Sequence, residues 1–295
     1  MSLLMPLTYR KLILPFILIG SISAIGTQFL AIPNSASELA LGGQAGMQVE
    51  SMVNPASAQK SGPGMELNIS LGNWLGGVKA SFVSVGFDAL SGTGQVGFRY
   101  FGLDDLEYRD ERPMDQPMAT YGANGIALDG GWAGSIGVSK IGIAVHLIRM
   151  QMHTESSTGI GLDLGGVGRI NRAITIGAAL LNMGTMNALM ASSPQLPFRL
   201  LIGGGYMIDH PRIPTEIGLT GEWSALRGNM ILSIGSHSTW KMMHWSFGTK
   251  LAPEVVVASA GFGLTLGRYA IRYGIQFGSQ QVGLPQLIDL AVQLP

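Results

Sequence analysis

Few residues in this chain are placed to make or break bonds. The candidates for proton transfer are His146 and His244, which share the phase of the small and polar residues around them, with Ser246 two positions beyond His244. His153, His210 and His237 fall at expected turns or strand ends. Hydrolysis by a serine needs a nucleophile, a base within hydrogen-bond reach and a third group that orients the base. The chain has no Gly-x-Ser-x-Gly elbow, and a serine in phase with a histidine arises by chance. Metal binding is no better supplied. His146 and His153 are seven apart and opposite in phase, and the acids of 104–111 lack a calcium-loop spacing with glycine at the turn. With no cysteine in 295 residues, disulfides and a lipidated cysteine are excluded. No catalytic, cofactor-binding or metal site is expected.

The other chemistry-bearing residues are charges. Lys79, Arg99, Arg199 and Arg272 stand in the small-and-polar phase with Asp163, Glu216, Glu222 and Asp289. Equal numbers of each sign predict ion pairs within a lumen, rather than a ring of one sign that selects permeant ions. A polar insert, 104–116, contains Asp104, Asp105, Glu107, Tyr108, Arg109, Asp110 and Glu111. It is the best candidate for a contact with a protein partner, against the plainer reading of a solvated loop.

Strands are needed to position these residues. Tyr269, Ile271, Tyr273, Ile275 and Phe277 share one face of a strand, and Ala270, Arg272, Gly274, Gln276 and Gly278 share the other. The same alternation returns around Ile141–Leu147, Ile160–Leu164, Ile217–Trp223 and Ile288–Leu294. A soluble sandwich would show water a charged face, yet charged residues are 12% of the chain. The apolar face is therefore expected to meet lipid, and Trp74, Trp132, Trp223, Trp240, Trp245 and the nearby tyrosines to include aromatics at the membrane interface. Glycine, at 43 residues, is roughly twice its usual share and suits turns and small inward side chains. A formal net charge of zero leaves nothing to neutralise a phosphate backbone, so nucleic acid is excluded as a partner.

Arg10 and Lys11 precede an apolar run, Leu12 to Ile25, that is too short for a spanning helix and ends in small residues. Residues 1–26 are expected to be a secretory signal. Residues 27–60 lack alternation and are expected to fold into or under a barrel of residues 61–295. Fourteen strands can be counted, near 65–71, 76–84, 92–102, 121–134, 139–152, 156–168, 172–184, 196–208, 214–224, 228–237, 241–252, 255–266, 268–278 and 285–294. Strands cross a bilayer only by closing, because every backbone polar group must be paired. The fold expected is all-β: a transmembrane antiparallel up-and-down barrel in an outer membrane.

The stretch FLAIPNSASELALGG (Phe29 to Gly43), followed by Asn54-Pro55-Ala56, resembles the opening of the PorV/PorQ family, the PorQ branch most of all. GFRYFGLDDLEYRDE (Gly97 to Glu111), SSTGIGLDLGG (Ser156 to Gly166), LLNMGT (Leu180 to Thr185) and LPFRLLIGGGY (Leu196 to Tyr206) follow in that family's order. Two features depart from its pattern: a short stretch between Gly46 and Asn54 with the single acid Glu50, and an end at Leu294-Pro295 without a terminal aromatic. The resemblance implies a relation to FadL-type barrels of fourteen strands. It makes residues 27–60, with Leu41, Gly42, Gly43, Asn54 and Pro55, a hatch in the lumen. It also implies an accessory role in type IX secretion, in which secretion-system or cargo proteins are bound and no reaction is catalysed. The alternative is a FadL-like conduit for a hydrophobic ligand, and a third reading is a purely structural barrel. Outer-membrane lipid is a partner in each.

Overall fold

Alternation becomes strand wherever it was read. The structure, a computed structural model, describes residues 26–49, 53–60, 62–108, 116–279 and 283–295. The expected signal falls almost wholly outside these residues. The strands are β1 (Met65–Asn73), β2 (Lys79–Ala89), β3 (Gly92–Tyr108), β4 (Ala119–Ile136), β5 (Ser139–Met152), β6 (Glu155–Arg169) and β7 (Ile174–Met186), followed by β8 (Arg199–Ile208), β9 (Thr215–Ser224), β10 (Met230–Trp240), β11 (Met243–Leu251), β12 (Val256–Leu266), β13 (Tyr269–Gly278) and β14 (Gln286–Leu294). Each pairs antiparallel with its sequence neighbours, and β1 also pairs with β14 from Met65↔Leu294 to Asn73↔Gln286, closing the barrel. Closure satisfies the backbone without a free edge, which is the condition for strands in hydrocarbon.

Phase decides inside from outside. On β14, Ile288 and Leu290 are 51% and 40% exposed, whereas Asp289 between them is 3% exposed. The exposed large apolar side chains, among them Ile143, Leu219, Phe262 and Tyr273, repeat this around the circumference. The outer surface is a lipid-facing band.

The two rims differ. At the rim where β1 begins and β14 ends, the turns are short: 90–91, 137–138, 170–173, 209–214, 241–242 and 267–268. At the other rim the connections include 109–118 and 187–198. Short turns lie on the periplasmic side of bacterial barrels and long loops on the outside, which orients the chain-end rim toward the periplasm.

The polar insert is not all loop. β3 runs to Tyr108, so Asp104, Asp105, Glu107 and Tyr108 belong to a strand that rises past the apolar band, with its pairing to β4 shifted between Leu103 and Leu106. A strand above the bilayer needs no apolar face, which is why its sequence reads as loop. Arg109, Asp110 and Glu111 lie outside the described residues.

The amino-terminal segment occupies the lumen. Thr27–Ala31 forms a 3-10 turn, Ala36–Leu41 forms the short helix α1, and Pro55–Ser57 forms a second 3-10 turn. Ser35 caps α1 by accepting the Glu38 N–H at 3.1 Å, while Glu38 Oε2 accepts the Asn34 N–H at 3.1 Å, a variant of the capping box. Gly42, at φ 73°, ends the helix in the left-handed region. One wall, β10 to β14, packs on α1, and the facing wall, β4 to β6, packs on Pro55–Ser57. Leu39, Leu41, Ala45 and Met47 are fully buried between them.

Candidate functional site

Above the lumenal segment, at the loop rim, is a cavity of about 910 Å³. Phe29, Ile32, Trp74, Phe101, Met150 and Val257 supply its apolar surface. The rings of Phe29 and Phe101 lie 6.1 Å apart, so the cavity floor is partly made by the lumenal segment itself. Their cluster continues into Leu30, Ile148, Met186 and Leu196, which are buried. Five charged residues also line it: Arg199, Glu222, Arg227, Lys250 and Glu254. Arg199 donates from Nε and Nη2 to the two carboxylate oxygens of Glu222, at 2.7 and 2.8 Å, and this buried pair lines the cavity. Lys250 lies on the same side, with no hydrogen-bond or ion-pair partner among the described residues.

The segment below is fixed by side chains of the wall. Asp289 accepts the Ala36 N–H with both oxygens, at 2.9 and 2.8 Å. Glu216 accepts the N–H groups of Gln48 at 2.7 Å and Val49 at 3.2 Å. Thr175 donates to the Gly46 carbonyl at 2.6 Å and Ser259 to that of Ala40 at 2.8 Å. From the segment's own side, Asn54 donates to Ala45 O at 2.7 Å and Gly166 O at 3.2 Å. Glycine in the wall lets the backbones touch. A Cβ on Gly177 would collide with the Ala45 carbonyl, and one on Gly274 with that of Ala36. The glycine-rich inner face is therefore a seat for backbone.

Between the segment and the β2 to β8 wall is a smaller cavity of about 80 Å³ with a mixed polar and apolar lining. Arg99 Nη2 donates to Asp129 Oδ2 at 2.9 Å, and His146 Nδ1 lies 2.7 Å from Asp129 Oδ1. His146 Nε2 is 2.9 Å from Asp163 Oδ2, close enough for an ion pair but outside hydrogen-bond alignment. Asp163 in turn accepts the Asn182 N–H at 2.6 Å, where β7 bulges and Asn182 takes φ 57°. Charges buried in contact with partners in this way brace the wall.

The expected site residues divide accordingly. Arg199 and Glu222 face each other as a pair; Arg99 and Asp163 join one network through Asp129 and His146. Glu216 and Asp289 hold backbone N–H groups, and Arg272 is half-buried opposite Asp289 in register. Lys79 is a correction: its side chain is 66% exposed at the rim, paired with Asp104 at 3.3 Å, because β2 begins there above the lumen. Leu41, Gly42, Gly43, Asn54 and Pro55 all lie in the lumenal segment. Missed by sequence reasoning were Asp129, whose inward phase between Ala127 and Gly131 was countable, and Glu38, which carries no periodic signal.

His237, His244 and Ser246 do not form a catalytic arrangement. Ser246 Oγ lies 2.9 Å from His237 Nδ1 rather than against His244, since β10 continues to Trp240 and places His237 inside the barrel. The other nitrogen of His237 is 3.4 Å from Thr239, and His244 lies between Thr239 and Thr265. These contacts to hydroxyls supply no carboxylate to orient a base. Among the described residues no group of three His, Cys, Asp or Glu side chains is placed to hold a metal.

No family model matches the chain, and no curated protein does. Solved structures do. The toluene transporter TbuX of Ralstonia pickettii superposes with a TM-score of 0.59 at 12% identity, over 90% of this chain and 98% of that one. The Pseudomonas putida toluene transporter TodX gives 0.63 at 13% identity, over 88% and 97%. The monoaromatic hydrocarbon channel CymD gives 0.63 at 12%, over 89% and 98%. The likeness is one of fold. This chain shares the barrel fold of these three channels, and no comparison supports its assignment to the PorV/PorQ family.

Proposed function

We propose that the barrel is an outer-membrane conduit for hydrophobic small molecules, with residues 27–60 as its hatch. The observation that carries this reading is the cavity of mainly apolar surface at the loop rim, floored in part by the lumenal segment. A cavity of this size, apolar over the larger part of its surface and with polar groups to orient a ligand, is the usual form of a small-molecule site. A molecule entering from the loop rim would rest against Phe29 and Phe101, beside Arg199, Glu222 and Lys250, and would pass only when the segment below yields. The neighbouring folds belong to hydrocarbon channels, which supports the same reading. Among the described residues, nothing in the loop-rim strands favours the secretion-accessory role over it.

The test uses the folded full-length chain in detergent. Binding of toluene and of a larger aromatic hydrocarbon is followed by tryptophan fluorescence, with Trp74 in the cavity wall as reporter. Saturable binding that Phe101→Arg removes supports the conduit. A cavity that takes up neither compound, together with recovery of secretion proteins from the native membrane, would reverse the reading.

A further inference from the structure

At the chain-end rim the apolar band does not stop short of the turns. Ile136, Ile208 and Leu266 close their strands as exposed side chains, and Leu90 and Val138 stand on the turns themselves at 88% and 79% exposure. Tyr206, Trp240 and Tyr269 are exposed within two residues of strand ends at this rim. Aromatics of this kind mark the headgroup layer of a bilayer, so the turns lie at headgroup depth. Water alone would not favour such tips.

At that depth stand four exposed bases on four different turns: Arg172, Arg212, Lys241 and Arg268. The Lys241 Nζ lies 5.3 Å from the centroid of the Trp240 ring, which keeps the ammonium beside an interface aromatic. Among the described residues, the acids of these turns and strand ends are Asp209, Asp88, which Lys60 takes up at 2.8 Å, and Glu66 and Glu216, both buried. Among the described residues the loop rim is nearly balanced, with exposed Asp104, Glu107, Glu155 and Glu254 against Lys79, Arg149 and Arg227. The excess of exposed base therefore lies at the chain-end rim.

We propose that Arg172, Arg212, Lys241 and Arg268 form a collar that binds the phosphate headgroups of anionic phospholipids in the leaflet at the chain-end rim. Guanidinium and ammonium groups at headgroup depth attract anionic lipid, each base adding to the attraction. Exposed Ile170 and Met242 on two of the same turns, and Leu90 and Val138 on neighbouring ones, admit the acyl chains beside them. On the orientation given by turn length this is the periplasmic leaflet. The collar rests on the membrane barrel and is independent of what the cavity carries.

Native mass spectrometry of the detergent-folded full chain tests it, with phosphatidylglycerol and phosphatidylcholine of the same acyl chains offered in equal amounts. The expected result is retention of phosphatidylglycerol over phosphatidylcholine by roughly 10-fold at low salt, falling as salt is raised. The combined variant Arg172→Gln, Arg212→Gln, Lys241→Gln and Arg268→Gln should lose this preference, and Lys79→Gln with Arg149→Gln at the other rim should keep it. Equal retention of both lipids by the unaltered protein overturns the proposal even if the combined variant does not fold. So does a preference that survives the collar substitutions.

Discussion

Both carboxylate oxygens of Asp289, on the last strand, accept the backbone N–H of Ala36, the first residue of α1, across 253 positions of sequence. The N–H is one of the donors that a helix start leaves without an internal partner, and the carboxylate also suits the positive end of the helix. Removing the acceptor leaves a buried donor unsatisfied, at a cost of about 1–3 kcal/mol. Asp289→Ala is therefore expected to loosen residues 27–60 while leaving the barrel closed. Limited proteolysis of that segment should accelerate and single-channel conductance should rise, whereas far-ultraviolet circular dichroism should keep its strand signal. Unchanged proteolysis and conductance would remove Asp289 as an anchor.

Arg199 and Glu222 make the second test. Breaking a buried ion pair strands the surviving charge and costs about 3–5 kcal/mol, while replacing both members by apolar residues is often neutral. Arg199→Met and Glu222→Leu should each lower the unfolding midpoint in urea, and the double variant should recover most of the loss. A double variant no better than the sum of the singles would show that the pair is not acting as a unit.

The glycine seats predict a steric effect with a built-in control. A side chain at Gly274 must displace the Ala36 carbonyl, whereas one at Gly278 on the same strand meets nothing within 4 Å. Overpacking of this kind costs about 1–3 kcal/mol. Gly274→Val should reduce protection of residues 36–41 in hydrogen exchange, and Gly278→Val should not. Equal effects would mean that strand propensity, not the backbone contact, governs both positions.

These relationships also mark what the sequence could convey. All fourteen strands are readable because lipid on one side and a lumen on the other impose a period of two, as Ile288, Asp289 and Leu290 illustrate. Outside the bilayer that pressure ends, so the upper part of β3 around Asp104 looked like a loop. The charges were harder. Arg199 and Glu222 were both visible in phase, and pairing two opposite charges on one face requires no further knowledge. Glu216 and Asp289 were expected to pair with cations, but they hold main-chain N–H groups 168 and 253 residues away, and a backbone donor has no sequence signature. The cavity was hidden for a related reason: Phe29 belongs to the irregular segment and Phe101 to the wall, and only the docked segment brings them together.

Glu38 gives the lumenal segment a pH dependence whose sign is fixed by burial. Desolvation raises its carboxyl above the ordinary value of 4.5, outweighing the Asn34 N–H and the nearby cations Arg199, Lys250 and Arg99, which act in the other direction. A group whose value is higher in the docked state favours docking when protonated. Its contribution is thus fully present below about 4.5 and is lost as pH rises through the higher docked value. Hydrogen exchange of residues 27–49 should therefore show stronger protection at pH 4 than at pH 7, and Glu38→Gln, which stays neutral, should remove the part of that difference owed to this residue. If the Gln variant keeps the full pH dependence, the titration belongs to another group and Glu38 serves only as part of the helix cap.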